Sequence, residues 1–319
     1  MAQDPTPFEH TPVLRDEVVS LFAPVPAGWV VDATVGGGGH TEALLESHAH
    51  LSVIGLDRDQ AAIDAAQRRL ARFGDRVRLI RTPFFGLGAA IDSVLGTDGA
   101  VSGVLFDLGV SSPQLDQAER GFSLRNDGAI DMRMDQTSGP TAGDLVNGAT
   151  EGELAALFRA NGEERLAGRI ARAVVAARPL SSTVQLAEVV AASVPAAVRR
   201  KGHPAVRVFQ ALRIAVNDEL GQLAEALPVA LDRLALDGRC VVISYHSGED
   251  RYVKQTFASA ATGGCTCPPG LPCVCGAVIT HQLVFRGSRK PSAEEISVNR
   301  RAESARMRAI ARTSEGPSS

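Results

Sequence analysis

The strongest constraint on the fold of this chain is a short stretch near its start, from Trp29 to Thr41. Aromatic and β-branched residues lead up to Asp32, which predicts a buried strand, and the glycines Gly36 to Gly39 follow. Glycine has no side chain to pack, so we attribute the run to positive φ angles and to close approach of the backbone to another group. A helix starting near Thr41 would point its first N–H groups at the same place. Together these features predict a nucleotide-type pocket at the edge of a parallel sheet.

The alternation of strand and helix patterns predicts the fold class. Further strand patterns cover residues 51–57, 76–81 and 101–107, with helical segments between them, which predicts a doubly wound, parallel α/β sheet. From residue 113 to 204 the pattern is helical, and a strand pattern returns at 239–245. We therefore predict a discontinuous sheet domain, residues 1–112 and 205–319, interrupted by an all-helical insertion at 113–204.

Composition limits the compartment and the partners. The chain has 319 residues and a formal charge of −3, so a polyanionic partner would have to meet a local basic patch. No apolar run has the length of a membrane span, and the first residues lack the basic and apolar regions of a signal peptide. We expect a cytoplasmic protein that does not contact a membrane.

The candidate functional residues follow predicted strands, where open α/β sheets bind their ligands. Asp57 falls 18 positions after Gly39, a spacing at which a carboxylate can accept both hydroxyl hydrogens of a ribose. Phe84 could cover an adenine, and Asp107 closes the fourth strand. Two enzyme classes fit: hydride transfer with a nicotinamide cofactor, and methyl transfer from S-adenosylmethionine. Asp32 favours the second, because a carboxylate can meet the methionine ammonium and would repel a pyrophosphate.

Longer motifs make the sequence recognisable. The segment from Asp107 to Asp116, continued by Glu119 to Ser123, closely resembles the ribosomal RNA small subunit methyltransferase H family, also called the MraW family. Other segments are similar to further signatures of that family: His10 to Leu14, Asp131 to Asp135, Gly162 to Arg165, His203 to Ala205 with Phe209 to Ala211, and Ser244 to Ser247. The resemblance extends over nearly the whole chain.

This resemblance implies a Rossmann-like, S-adenosylmethionine-dependent methyltransferase. It implies methylation of N4 of a cytosine in the decoding region of 16S rRNA, with the small ribosomal subunit as partner and the helical insertion as RNA-recognition domain. No catalytic metal is implied. The family's cofactor contacts fall on these positions: Gly38, Gly39, His40, Asp57, Phe84, Asp107 and Gln114.

The fourth strand departs from the pattern of other amino-methyltransferases, which commonly carry an acid or amide, two prolines and an aromatic there. This chain has Asp107-Leu108-Gly109-Val110, so an aromatic that stacks on the base must come from elsewhere. Phe122 and Tyr245 are the candidates. Asp107, or the backbone carbonyls beside it, would accept the amino hydrogens of the cytosine and so act as the catalytic group.

Two sequence clusters could serve as phosphate contacts, and each could equally be a solvated charged face. They are Arg199-Arg200-Lys201, and Arg286 with Arg289 and Lys290. His246 could hydrogen-bond the target or hold a loop.

Four cysteines share one Gly/Pro-rich segment: Cys265, Cys267, Cys273 and Cys275. Their paired spacing could hold a structural zinc ion. The alternative is a redox-sensitive loop with no role in catalysis.

Two other functions stay open from the residues alone. A nicotinamide-dependent oxidoreductase would bind NAD and not S-adenosylhomocysteine. A non-catalytic RNA-binding or assembly factor would show a damaged glycine turn or a lost Asp107, and neither is seen. The sequence leaves a homodimer open.

Overall fold

The structure is a computed structural model that describes residues 12–162, 165–200, 202–268 and 274–313. Seven strands occur in these residues: β1 Gly28–Asp32, β2 Leu51–Asp57, β3 Val77–Arg81, β4 Val101–Asp107, β5 Leu234–Ser244, β6 His281–Leu283 and β7 Arg306–Arg312. The α-helices of the same residues are α1 Arg15–Phe22, α2 Gly39–Ser47, α3 Gln60–Leu70, α4 Leu87–Leu95, α5 Ser112–Asp116, α6 Ala142–Gly148, α7 Glu151–Gly162, α8 Ala167–Ala176, α9 Thr183–Ser193, α10 Ala196–Arg199, α11 Ala205–Asn217, α12 Glu219–Asp232, α13 Ser247–Thr262 and α14 Ala293–Val298. Among the described residues, none of these helices combines the length and the apolar character that crossing a bilayer requires.

The seven strands form one sheet in the order β3-β2-β1-β4-β5-β7-β6. The pairs from β3 to β5 are parallel, whereas β7 runs antiparallel to both β5 and β6. The chain moves outward from β1 to β3 and then returns to the other side of β1 at β4. This reversal places the switch point of the sheet between β1 and β4, where doubly wound folds bind ligands. The predicted doubly wound α/β sheet is confirmed.

The chain divides into two compact units. The sheet unit consists of Met1–Gly109 and Gln222–Ser319, and the helical unit of Val110–Gly221. In the sheet unit, successive residues of a strand pack in different apolar clusters: Val31 and Phe106 belong to one, and Val30 and Leu105 to another. Because strand side chains alternate between the two faces, both faces of the sheet are covered.

The helical unit has its own apolar core, in which Phe158, Ile170 and Leu186 are fully buried. Helix α11 belongs to this unit, because its residues Val208 and Leu212 pack in the same core. The sequence pattern placed the return to the sheet domain at residue 205, ahead of this helix. Contacts between helices decide its membership, and its amphipathic pattern is compatible with either unit.

Candidate active site at the carboxyl edge of the sheet

The turn after β1 is held by backbone hydrogen bonds and by one carboxylate. The N–H of Gly38 donates to the carbonyl of Val35 at 2.7 Å, and the N–H of Gly36 donates to Oδ2 of Asp57 at 3.0 Å. Gly36 and Gly38 have φ angles of 50° and 82°. Because side chains disfavour such angles, the turn depends on glycine at both positions.

The glycines of the turn do not all serve the same purpose. A Cβ added at Gly37 would meet no described residue within 4 Å, so this glycine borders open space. A Cβ at Gly38 would lie 3.1 Å from Leu70, and one at Gly39 would lie 2.6 Å from Pro12. Gly38 and Gly39 therefore let the backbone pack closely against other residues, as the glycine run predicts, and their assignment to the cofactor stays a prediction.

The Asp32 side chain braces this turn. It is 1% exposed, and its oxygens accept hydrogen bonds from the hydroxyl of Thr41 at 2.7 Å and from the N–H of Thr34 at 3.3 Å. Burial raises the pKa of this carboxyl. From the sequence we expected Asp32 to meet a ligand ammonium, whereas the observed contacts tie β1 to the first turn of α2.

Asp57 links the ends of β1 and β2. Oδ2 accepts from Gly36, and Oδ1 accepts from the N–H of Asp59 at 2.8 Å. Burial raises the pKa of Asp57 to about 6. Since each carboxylate oxygen has two lone pairs, each retains one acceptor position after these bonds.

His40, in the first turn of α2, is the least satisfied polar residue of the site. It is 6% exposed, and neither ring nitrogen has a hydrogen-bond partner among the described residues. Its Nε2 lies 3.4 Å from Oδ2 of Asp107, outside hydrogen-bond geometry. Buried polar atoms without partners are rare in folded proteins, so they mark a position where a bound group can supply the partner.

Asp107 ends β4 beside the switch point. Its backbone N–H donates to the hydroxyl of Thr34 at 2.7 Å, and its Oδ1 accepts from the phenol of Tyr245 at 2.8 Å. The Asp107 side chain is 25% exposed, which leaves it accessible to a substrate. Burial and the negative charge of Asp107 raise the pKa of Tyr245 well above its usual value, so the phenol stays a proton donor.

Tyr245 is itself positioned from both sides. A Cβ at Gly109 would lie 3.2 Å from its ring, so Gly109 allows the ring to pack against the turn after β4. The backbone N–H groups of Tyr245 and His246 donate to Oε2 of Glu249, at 2.9 and 3.2 Å. Nδ1 of His246 accepts from Gly248 and Glu249 and caps α13. His246 thus holds the helix that orients Tyr245.

Two residues of this arrangement were missed by the sequence analysis in their observed roles. Thr34 joins the turn after β1 to the end of β4, and nothing in its sequence context distinguishes it from an ordinary turn residue. Tyr245 was considered only as a stacking aromatic. Its place in the signature Ser244 to Ser247 was the available signal that it belongs to the site.

Phe84 follows β3 and begins a short 3-10 turn, Phe84–Gly86. It is half-buried, and its ring meets that of Phe106 edge to face, with centroids 6.0 Å apart and planes at 89°. The contact with the buried ring of Phe106 therefore fixes the position of the Phe84 ring. The structure places Phe84 at the end of β3, in the same sheet unit as Gly38, Gly39, His40, Asp57 and Asp107.

Gln114 and Phe122 lie in the helical unit. Gln114, on α5, is buried, and its Oε1 accepts from the N–H of Ser111 at 3.0 Å. Phe122 is 8% exposed and packs in the core of the helical unit. Packing in this core accounts for an aromatic residue at position 122, and no stacking on a substrate base is needed to explain it. The assignment of Gln114 to the cofactor stays a prediction.

Of the two basic clusters, one is fully described. Arg286, Arg289 and Lys290, which we call the β6 basic cluster, are exposed, and the guanidinium of Arg289 lies over the ring of Phe285 at 4.4 Å. Arg199 and Arg200 are also exposed. Several sequence predictions fall outside the described residues: His10, Thr11, Glu163, Glu164, Lys201 and Cys273.

The fold and this site together define a class. A mostly parallel sheet with its switch point between β1 and β4, a glycine turn and acids at three strand ends are the features expected of a Rossmann-like, S-adenosylmethionine-dependent methyltransferase. The chain belongs to the MraW methylase family, whose sequence model matches residues 7–313. Membership in a methylase family sets aside the nicotinamide alternative.

Curated relatives carry the same family relationship over nearly their full length. "Ribosomal RNA small subunit methyltransferase H" of Heliobacterium modesticaldum is 51% identical over 308 residues, covering 95% of this chain and 98% of the relative. The protein of that name from Thermobifida fusca is 48% identical, covering 96% and 94%. A solved rRNA methylase from Streptococcus thermophilus aligns over 94% of each chain, with 13% identity and a TM-score of 0.41. The family assignment rests on the sequence relatives.

Proposed function

We propose that this protein methylates N4 of a cytosine in the decoding region of 16S rRNA, using S-adenosylmethionine. The proposal is supported by relatives about 50% identical that are named for methylation of small-subunit ribosomal RNA. It is supported as well by the segment from Asp107 to Ser123, which carries the most specific part of the family resemblance.

The observation that carries the proposal is the Asp107 carboxylate at the end of β4. It is partly exposed, the phenol of Tyr245 donates to its Oδ1, and the hydroxyl of Thr34 holds the backbone N–H of the same residue. A cytosine amino group is a poor nucleophile, because its lone pair is delocalised into the ring. A carboxylate that accepts one amino hydrogen draws the nitrogen toward a tetrahedral, nucleophilic form. After methylation the nitrogen carries an extra proton, which the same carboxylate can take.

The residues present fit the donor. Asp57 retains acceptor positions for ribose hydroxyls, Gly37 borders open space, and His40 has two buried nitrogens that lack described partners. The bound donor supplies an electrophilic methyl group on a sulfonium sulfur. We assign its binding to these residues: Gly38, Gly39, His40, Asp57, Phe84, Asp107 and, from the helical unit, Gln114. The chain's own contribution is alignment of the acceptor nitrogen with that methyl group.

The RNA must present a single base to this edge. A cytosine within a helix exposes too little of its amino group, so we propose that it is turned out of its stack, as in other enzymes that modify bases. We assign the grip on the RNA to the helical unit, residues 110–221, together with the β6 basic cluster. Exposed arginines and lysines suit phosphates, which fix register and carry no base specificity.

The deciding experiment maps methylated nucleosides of 16S rRNA by mass spectrometry in cells that lack this protein. We expect one cytosine to lose its N4-methyl group. The wild-type gene should restore it, and a gene encoding Asp107→Ala should not. Asp64→Ala, which removes an exposed carboxylate on α3, serves as the matched control and should restore the methyl group.

Two outcomes would contradict the proposal. An unchanged methylation map in the deletion strain would remove the protein from this modification. The second outcome is that Asp107→Ala restores methylation to the wild-type level and only subunit assembly depends on the protein. This result would instead support a non-catalytic assembly factor.

A further inference from the structure

The segment between α13 and β6 is fastened to the fold at both ends. Gly263 and Gly264, with φ angles of 61° and 70°, end α13, and the N–H of Cys265 donates to the carbonyl of Thr262 at 3.1 Å. A Cβ at Gly263 would lie 2.4 Å from the carbonyl oxygen of Val278, so the returning arm packs directly on the helix end. Both arms of the loop therefore start from defined positions.

Apolar burial does not explain how the two described arms of this loop are held together. None of its described residues, 263–268 and 274–280, is buried, and Val274 is 88% exposed. A loop of this length without a core needs another source of order, and small core-free segments commonly obtain it from disulfides or metal ions.

Three thiols converge in this loop. The sulfur atoms of Cys265, Cys267 and Cys275 all lie within 4.8 Å of one another, and those of Cys265 and Cys275 are 3.6 Å apart. A disulfide requires about 2.05 Å. Two thiolates on a tetrahedral zinc ion lie about 3.8 Å apart, given Zn–S bonds of about 2.3 Å. The observed separation, at which the Cys275 thiol donates to Sγ of Cys265, is too long for a disulfide and lies close to the distance between two thiolates on one zinc ion.

One sulfur is also oriented as a metal-bound thiolate would be. The N–H of Val274 donates to Sγ of Cys267 at 3.4 Å, and the backbone of Cys275 hydrogen-bonds the same sulfur. Backbone N–H groups that donate to a ligand sulfur orient it and stabilise its negative charge. These bonds join the two arms of the loop at the point where the thiols meet.

We propose that Cys265, Cys267 and Cys275 bind one structural zinc ion that closes the loop between α13 and β6. The 16 residues of α13, about 24 Å long, lie along the chain between Tyr245 and this site, and the zinc ion takes no part in methyl transfer. Its ligand class is a borderline-soft divalent cation, which three thiolates favour over magnesium or calcium. The proposal stands independently of the RNA substrate.

The test uses the full-length protein, purified under reducing conditions, with its metal content measured by inductively coupled plasma mass spectrometry. We expect about one zinc per chain, and about tenfold less in Cys265→Ser, Cys267→Ser and Cys275→Ser. Cys240→Ala removes a core thiol of β5, and Thr266→Ser changes the loop but keeps its thiols. Both should retain the zinc.

Cobalt provides a second readout that does not depend on activity. Metal-free protein titrated with Co(II) should develop thiolate charge-transfer absorption at one equivalent, and the serine variants should not. Hydrogen exchange should rise on metal removal in peptides that contain Cys265 or Cys275, but not in β1 or β4. Because the loop is exposed, the serine variants should keep wild-type far-ultraviolet circular dichroism.

Three results would overturn the proposal. Protein that takes up less than about a tenth of an equivalent of Zn(II) or Co(II) under reducing conditions would lack the site. Equal zinc in the serine variants and the wild type would place the metal elsewhere. A disulfide between Cys265 and Cys275 in protein purified without air would assign the thiols to redox chemistry.

Discussion

Two regions of the chain that resemble family signatures, one in each unit, use their polar groups in opposite ways. At the carboxyl edge of the sheet, His40 keeps two unpartnered nitrogens among the described residues, and Asp107 keeps a partly exposed carboxylate. In the helical unit, Arg133 donates to both oxygens of Asp131, at 2.8 and 2.9 Å, and Asn217 bonds the backbone of Met132 and Met134. The polar groups of the first set can still bind a ligand, whereas those of the second set form hydrogen bonds within the protein's own loop.

The two signatures differ in how far the protein itself saturates their polar groups. The segments around Asp107 and around Asp131 both resemble signatures of the family, and both combine acids with glycine or methionine. Only the hydrogen-bond partners seen in the structure distinguish a residue that can bind a ligand from one that stabilises the protein's own loop. A polar group that is saturated by the protein contributes stability, whereas one that is held in place but unsaturated can bind or react.

The largest expected effect comes from removing the reactive group of the sheet edge. Asp107→Ala should lower kcat for methyl transfer by about 100-fold or more, because a positioned hydrogen-bond acceptor is lost. Single-turnover transfer of labelled methyl to 16S rRNA measures it, with Asp64→Ala as control. A loss below about threefold would place Asp107 among the bracing groups.

The matched change in the helical unit should affect stability instead. Asn217→Ala leaves the N–H of Met134 and the carbonyl of Met132 without their partner, which should cost about 2–3 kcal/mol. Hydrogen exchange of α7 and α11 follows the helical unit, and fluorescence of Trp29, the single tryptophan, follows the sheet unit. Equal destabilisation of both units would contradict the distinction drawn here.

Protonation of Asp57 should weaken donor binding. Its pKa of about 6 exceeds the ordinary value of 3.8, so the folded protein holds this proton more tightly than the unfolded chain. The carboxyl therefore costs stability as pH rises from about 4 to 6, while its ionised form is the better acceptor for ribose hydroxyls. Affinity for S-adenosylhomocysteine should rise about tenfold from pH 5 to 7.

Isothermal titration calorimetry across this range measures the effect. Asp57→Asn should bind more weakly at pH 7 and should lose most of the pH dependence. An identical pH profile in the variant would assign the titration to another group.

Tyr245→Phe should lower kcat about fivefold, because the phenol no longer fixes Oδ1 of Asp107. As a positioning residue, Tyr245 should leave KM for the donor within about twofold. Tyr252→Phe is the control, since its phenol donates to the carbonyl of Ala224 at 3.3 Å. A rise in KM with unchanged kcat would show that Tyr245 acts in binding.

The smallest effect is expected at the β6 basic cluster. Neutralising its three charges should flatten the dependence of log affinity for RNA on log salt by about two to three units at most. The control neutralises three exposed arginines elsewhere in the sheet unit, namely Arg68, Arg72 and Arg78. An unchanged slope would identify the cluster as a solvated surface.

Much of the sheet and part of the site could be predicted from local patterns. The strand that ends at Asp32, the glycine turn and the strand that ends at Asp57 are continuous in sequence, so their order and polarity follow from periodicity and turn chemistry. The partner of Asp107 could not be predicted this way. Tyr245 lies 138 residues further along, and the pairing of β4 with β5 brings the two together.

The amino-acid sequence by itself determined the doubly wound sheet and the acids at the strand ends, because these depend on short-range patterns of burial and backbone freedom. It also determined the family, because long motifs identify relatives without a structure. Tertiary structure alone decided that Asp32 braces the turn, that Phe122 is a core residue, that α11 belongs to the helical unit, and that three thiols meet near Cys267. Each of these depends on which atoms lie within a few ångströms across long stretches of chain, and local patterns do not encode such distances.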